Sequence, residues 1–156
     1  MYQDIATLHN AVYNQQPDSL KTTTDPLLDT VEQYAVRSRA IHVELQELLN
    51  VAYCDFELGD VAYFRGDFPK ALEFYLQAVP NLRGYGSLGH VRDVYKSIAA
   101  VYGKLGDVDN QLLYYQKHVA LKDSLAETFQ AKELASERSK FEIELRDTEL
   151  EKQRGE

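Results

Sequence analysis

The apolar and polar residues of this 156-residue chain show no sustained alternation of the kind that marks β-strands. Helices are favoured instead, because the segment boundaries carry helix signals. Asp25-Pro26 places a capping carboxylate before a first-turn proline, and Asp67 and Asp107 each follow a glycine that can close the preceding helix. Pro80 is expected to end another helix, with a glycine-bearing loop at 81–89 after it. The predicted helices lie at about 3–15, 26–39, 43–65, 68–79, 90–105 and 109–153.

An internal repeat shows how these helices are grouped into units. Residues 51–79 laid over residues 91–119 produce seven identities at a constant offset of 40, among them Gly66 with Gly106 and Tyr75 with Tyr115. Each unit is therefore interpreted as a helix, a Gly-Asp turn and a second helix. A fainter copy precedes them, so that residues 26–42 are interpreted as the second helix of an earlier, degenerate unit.

The first unit resembles the tetratricopeptide repeat (TPR), since Leu58-Gly59, Gly66-Asp67-Phe68 and Tyr75 match the family's small and aromatic positions. The second unit is more divergent. The resemblance implies an all-α solenoid of helix-turn-helix repeats with a long C-terminal helix. It also implies that small and aromatic residues pack the repeats together, namely Gly59, Gly66, Ala71, Tyr75, Ala78, Tyr102, Gly106 and Tyr115. The expected organisation is an N-terminal segment at 1–25 with a weak helical pattern, a repeat domain at 26–125 with units at about 43–80 and 90–125, and a charged helix at 126–156.

A narrower resemblance covers the stretch from Leu113 to Leu125 and the charged helix after it. They look like the last repeat and exit helix of bacterial TPR-containing sensor histidine kinases and membrane-tethered helix-turn-helix (LuxR-type) regulators. This implies the periplasmic input region of a two-component system or a transcription regulator, with any kinase output domain outside the chain shown. The alternative is a free-standing cytoplasmic TPR scaffold. A membrane span followed by a kinase or DNA-binding domain in the same reading frame would be found only in the sensor kinase or regulator, and not in a free-standing scaffold.

Composition narrows the classes of function. The formal net charge is -8, from 17 basic and 25 acidic residues, so the chain lacks the clustered cations that nucleic-acid phosphates require. Cys54 is the one cysteine, which excludes an internal disulfide and a cysteine-rich zinc site; it is expected to be a small core residue. The four histidines share no metal spacing. No apolar run approaches the roughly 18 residues that span a bilayer. We therefore expect no catalytic residue, metal, cofactor or nucleic-acid contact in this region.

One motif matches a nucleotide-binding fingerprint, but the secondary structure predicted around it does not suit nucleotide binding. Residues 84–89 read Gly-Tyr-Gly-Ser-Leu-Gly, a match to the Gly-x-Gly-x-x-Gly fingerprint of dinucleotide-binding folds. That fingerprint works where a strand delivers the glycines to a helix start. No strand is predicted here, so the segment is interpreted as a flexible linker between repeats, whose extra length would explain the 40-residue period.

The TPR resemblance implies a partner-binding groove on the first helices of the units. In the first unit the groove residues are Tyr53, Phe56, Asp60 and Tyr63, whose spacing of 3, 4 and 3 places them on one face of a helix. In the second unit the groove residue is Lys96. A mixed aromatic and charged stripe is typical of surfaces that recognise an extended peptide or a partner helix. The other interpretation, that part of the stripe is core under a short solenoid, stays open. The further groove positions are Phe64, Asp93 and Lys104.

The acidic groups on this groove argue against a clamp for a C-terminal carboxylate, which they would repel. In the tail, Leu134, Phe141 and Leu145 form one short apolar stripe at steps of 7 and 4. The stripe predicts either half of a homodimeric coiled coil or a helix packed back on the repeats, and a solvated spacer is the third interpretation.

Overall fold

A computed structural model describes residues 25–155, and it contains five helices. They are α1 (Pro26–Glu44), α2 (Leu48–Phe64), α3 (Phe68–Gly84), α4 (Leu88–Leu105) and α5 (Val108–Arg154). No strand occurs in the described part of the chain. The all-α fold class is confirmed. The weakly predicted helix at 3–15 lies outside the described residues.

The helices are joined by turns of one construction, spaced 20 residues apart. In each turn one residue has positive φ, and the next N–H donates to the carbonyl five residues back, as Asp67 does to Ala62 at 2.9 Å. This left-handed closure satisfies carbonyls that the helix end would leave unpaired. The positive-φ residues are Gln46 (59°), Gly66 (79°), Gly86 (71°) and Gly106 (77°). The 40-residue sequence repeat is therefore two helix-plus-turn steps of 20 residues.

The predicted stop at Pro80 is wrong, because α3 continues through it to Gly84. Proline inside a helix removes one backbone hydrogen bond and crowds the preceding turn, a cost of about 3 kcal/mol. Contacts beyond the proline hold the last turn nonetheless: Leu82 is fully buried, and Arg83 Nε donates to the Tyr95 hydroxyl at 3.1 Å. The loop expected at 81–89 shrinks to residues 85–87, so the repeat period comes from helix length and not from a long linker.

The core lies between α1, α2, α3 and α4. Helix α2 is the most enclosed of them, with its apolar face in contact with α1 and α3. Helix α3 contributes a single face whose members recur at steps of 4, 3 and 4, as a helix packed on one side requires: Ala71, Tyr75, Ala78 and Leu82. Cys54 is 1% exposed, which confirms its prediction as a core residue, and burial raises the pKa of its thiol.

Two polar links tie α1 to α2. Arg39 Nε donates to Asp55 Oδ1 at 2.6 Å, and Asp55 is only 3% exposed. Burial raises the pKa of Asp55, although the hydrogen bond from Arg39 works in the opposite direction. Near the end of α2, Arg65 bridges two α1 carboxylates, donating to Asp29 and to Glu32 at 2.5 Å each. These pairs fix the position of α1 along α2.

The chain divides into two compact units, residues 25–119 and residues 120–155. The second unit is the rest of α5. Apart from the partly buried Leu121 and Leu125, its side chains are exposed, and Phe129 and Leu134 retain 67% and 53% of their surface. None of the helices within 25–155 is both long enough and apolar enough to cross a bilayer.

Candidate partner-binding site

The aromatic stripe predicted from the sequence runs along one face of α2. Tyr53, Phe56, Asp60 and Tyr63 are all partly buried, between the core face of the helix and solvent. The Gln46–Glu47 turn sets where α2 begins, and Arg65 anchors its end to α1. The rings are therefore held on a helix that is fixed at both ends.

At one end of the stripe, Tyr53 reaches the start of α4. Its hydroxyl lies 3.0 Å from Ser87 Oγ, and its ring is 4.7 Å from the His90 ring, centroid to centroid. Ser87 Oγ also bonds His90 Nδ1 at 2.9 Å. Ser87 occupies the N-cap position of α4, but its hydroxyl makes these side-chain contacts instead of capping a backbone N–H. The three groups join α2 to α4, and the stripe on α2 together with Ser87 and His90 is called the inner face below.

In the middle of the stripe lies a pair of carboxyl groups, Glu57 and Asp60. The Tyr75 hydroxyl donates to Asp60 Oδ1 at 2.5 Å. Loss of hydration raises the pKa of Asp60 to about 7, and the Tyr75 hydrogen bond only partly opposes this. Loss of hydration, followed by the nearby charge of Asp60, raises the pKa of Glu57 to about 7. This part of the surface therefore changes charge near neutral pH.

Aromatic contacts continue along both sides of this pair. The Phe56 ring lies 5.8 Å from the Tyr75 ring, and Tyr63 meets Phe64 and Phe68 at 5.6 Å each in edge-on geometry. Such tilted contacts are the preferred arrangement of aromatic pairs. The stripe is therefore an ordered surface with polar and apolar groups at defined positions.

Lys96 does not lie on the α2 face that carries the other four predicted groove residues. It is exposed and lines a cleft of about 470 Å³ formed by α4 and α5, whose walls include no α2 residue. Of the remaining predicted groove positions, Asp93 accepts from Arg92 Nε at 2.8 Å, Phe64 is partly buried and Lys104 is exposed.

The residues expected to pack the repeats occupy three kinds of position. Gly59, Ala71, Tyr75 and Ala78 are buried where α2 meets α3. Gly66 and Gly106 are the positive-φ residues of two turns. Tyr102 is partly buried and stacks on Tyr114 at 5.7 Å, whereas Tyr115 is 55% exposed.

Ser87 and His90 were not recognised from the sequence as part of the inner face. They stand 34 and 37 residues beyond Tyr53, with no motif connecting the three. The sequence feature that could have identified them is the 20-residue spacing of the turns, because this spacing brings the start of α4 beside α2. The Gly-x-Gly-x-x-Gly motif falls across this same turn between two helices. Within 25–155, no group of three or more His, Cys, Asp or Glu side chains is placed to hold a metal ion.

Comparison with known proteins supports the fold. No protein-family model and no curated protein matches the chain. Among solved structures, the crystal structure of the TPR domain of Arabidopsis FLU is similar, with a TM-score of 0.64 over 79% of this chain and 92% of that domain. The sequence identity is 11%. The chain has a TPR-like helical repeat fold.

Proposed function

We propose that this chain is a non-catalytic module that binds a protein or peptide partner along the inner face of α2 and the start of α4. The observation that carries the proposal is the set of rings Tyr53, Phe56 and Tyr63, which share one face of α2 and remain partly exposed. Partly exposed aromatic side chains on a fixed helix bury large apolar area at little cost in side-chain entropy, which is typical of binding hot spots. Likeness in fold to the FLU TPR domain supports the same proposal.

The carboxyl groups beside the rings indicate which chemical groups the partner would carry. Glu57 and Asp60 favour a segment that carries hydrogen-bond donors or a basic side chain, because such a group would stabilise their ionised forms. They would repel a terminal carboxylate. The partner we propose is thus an internal segment, extended or helical, with apolar and donor groups.

An affinity capture from the native host tests this proposal, with the purified chain immobilised and bound proteins quantified by mass spectrometry. Tyr53→Ala combined with Tyr63→Ala should lower the captured amount of a specific partner roughly tenfold or more. Tyr85→Ala is the matched control, since Tyr85 is a 56% exposed tyrosine on the turn before α4. Equal capture by the double variant and the control, with unchanged helical circular dichroism, would reject the inner face as the site.

We also propose that the module supplies the input to a bacterial sensor histidine kinase or a LuxR-type regulator. The support is the sequence resemblance of residues 113–125 and the charged helix after them. The coding sequence around this segment provides the test. A membrane span joined to a kinase or DNA-binding domain supports the sensor, and a reading frame with neither favours the free-standing scaffold.

A further inference from the structure

The apolar cleft between α4 and the first turns of α5 is the starting point for a second binding surface. It lies within the unit formed by residues 25–119. Its walls are mainly apolar, and several of its side chains are widely exposed: Val108 by 69%, Leu112 by 55% and Tyr115 by 55%. The lining residues used below are Lys96, Ala99, Ala100, Val108, Leu112 and Tyr115.

The internal repeat identifies the counterpart of this cleft. Moving back by 40 residues converts the same positions into Phe56, Gly59, Asp60, Phe68, Leu72 and Tyr75, on α2 and α3. Helix α4 lies over that counterpart surface, because it contacts both α2 and α3 and its Ser97 side chain lies near enough to the Tyr75 hydroxyl to lower the pKa of that group. In the earlier repeat, therefore, a helix covers the Tyr75 part of this surface, while Phe56 and Asp60 stay partly exposed.

Equivalent residues of the two repeats differ in exposure. Tyr75 is 1% exposed, against 55% for Tyr115. Leu72 is partly buried under the cover, whereas Leu112 retains 55% of its surface. The same side chains at the same helix positions are thus less exposed in the first repeat than in the second. An exposed apolar surface gains free energy from burial when a helix covers it.

We propose that the α4/α5 cleft binds one amphipathic helix of a partner protein, in the position that α4 takes over the preceding repeat. The covering helix shows the chemistry that fits. Helix α4 presents β-branched residues at i, i+3, i+7 and i+10, each 0% exposed, namely Val91, Val94, Ile98 and Val101. A partner helix with apolar, mostly β-branched residues at these intervals reproduces that face.

Two differences between the repeats specify the partner further. Lys96 stands where the earlier repeat has Phe56, and within residues 25–155 it makes no ion pair shorter than 4.0 Å. An acidic side chain on the partner helix therefore has a cation to meet at the cleft edge. Ala100 replaces Asp60, so the centre of the cleft accepts an apolar group where α2 carries a carboxyl. This charge arrangement differs from that of the inner face, where Glu57 and Asp60 favour donors.

The probe for this proposal is a fluorescent peptide of residues 88–105, the covering helix itself. A side-chain lactam between Lys96 and a glutamate introduced by Ala100→Glu keeps the peptide helical, since both positions lie on the exposed face of α4. Fluorescence anisotropy measures its binding to the full chain. The expected result is saturable binding that Leu112→Glu in the chain weakens roughly tenfold or more. A peptide carrying Ile98→Asp should bind correspondingly less.

Leu113→Glu is the matched control, because Leu113 is 44% exposed on the next position of α5 and does not line the cleft. The control should bind the peptide as the wild type does, with the thermal stability of both variants recorded. Absence of binding, or equal binding by the Leu112→Glu and Leu113→Glu chains, overturns the proposal. Binding that survives Leu112→Glu would mean that the peptide displaces α4 from its own site. Sedimentation that finds a dimer lost only in Leu112→Glu would make a second copy the occupant and would also overturn it.

Discussion

Helices α2 and α3 approach each other closely at Gly59. A Cβ added there would lie 2.5 Å from two ring atoms of Tyr75, well inside van der Waals distance. Tyr75 is itself 1% exposed and donates to Asp60, so its ring has little freedom to move away. Glycine is required at this position by packing, since Gly59 lies within the regular helix α2.

Gly59→Ala should therefore destabilise the protein, although alanine is the better helix former by about 1 kcal/mol. Overpacking typically costs about 1 to 3 kcal/mol, so the expected net loss is up to about 2 kcal/mol. Gly84→Ala is the control, because no atom lies within 4 Å of a Cβ at that position, and it should leave stability unchanged or raise it. Urea unfolding measures both, and a Gly59→Ala chain as stable as Gly84→Ala would disprove the α2–α3 packing described above.

The carboxyl of Asp60 gives the fold a pH dependence whose sign follows from its pKa. That pKa rises from 3.8 to about 7 on folding, so the folded state holds its proton more tightly than the unfolded state. The stabilisation by the proton is complete below about pH 4 and is lost as the pH rises towards 7. Glu57 acts in the same direction.

Asp60→Asn keeps the size of the side chain and an acceptor for the Tyr75 hydroxyl while removing the titration. The melting temperature of the variant relative to the wild type should therefore increase steadily between pH 4 and pH 8. Thermal melts by circular dichroism in matched buffers measure this difference. A difference that stays constant with pH would mean that Asp60 is ionised throughout the range.

At the scale of elements, the helix length and the turn geometry repeat more regularly than the residue types do. Three of the four turns have glycine at the positive-φ position, and the first has Gln46 with φ of 59°. A left-handed conformation costs a non-glycine residue about 1 to 2 kcal/mol. In the first turn, therefore, a residue that disfavours positive φ is held in that conformation.

Gln46→Gly should stabilise the protein by about 0.5 to 1 kcal/mol, because relief of the strain exceeds the entropy that glycine adds to the unfolded chain. Gly66→Ala should destabilise it by about 1 to 2 kcal/mol. No atom lies within 4 Å of a Cβ at Gly66, so the loss would come from the backbone alone. Urea unfolding of the two variants checks both signs; stabilisation by Gly66→Ala would exclude the left-handed turn.

At the scale of the whole molecule, the repeat unit and the distal part of α5 differ in how they are stabilised. The first unit contains all the buried residues described, and α5 contains none. Residues 120–155 depend on helix propensity, and their apolar side chains remain exposed, including Phe141 at 63% and Leu145 at 48%. Such a helix offers a surface for self-association.

Deletion of residues 140–156 should leave the melting temperature of the repeat unit unchanged, since no core residue is lost. If the exposed stripe forms a homodimer, the deletion should convert a dimer into a monomer, and Phe141→Asp with Leu145→Asp should do the same. Light scattering on the three proteins at matched concentration measures the mass. Identical masses for all three would assign these residues to a solvated spacer.

Local chemistry allowed the sequence by itself to determine the helical class, the repeat and the turns at Gly66 and Gly106. Asp25-Pro26, Gly66-Asp67 and Gly106-Asp107 act on the backbone within a few residues, so their effect can be read without knowing the fold. The aromatic stripe could be assigned to one face of α2 for the same reason, since helical spacing is a local property.

Tertiary structure alone decided the features that depend on contacts between distant residues. Helix α3 passes through Pro80 because Leu82 is buried and Arg83 binds Tyr95, and neither partner is apparent from the local sequence. Tyr75 and Tyr115 are identical in the repeat, yet one is buried and the other exposed. The physical reason is that burial sums many contacts from elements far apart in the chain, whereas a cap or a turn depends on a few neighbouring backbone groups.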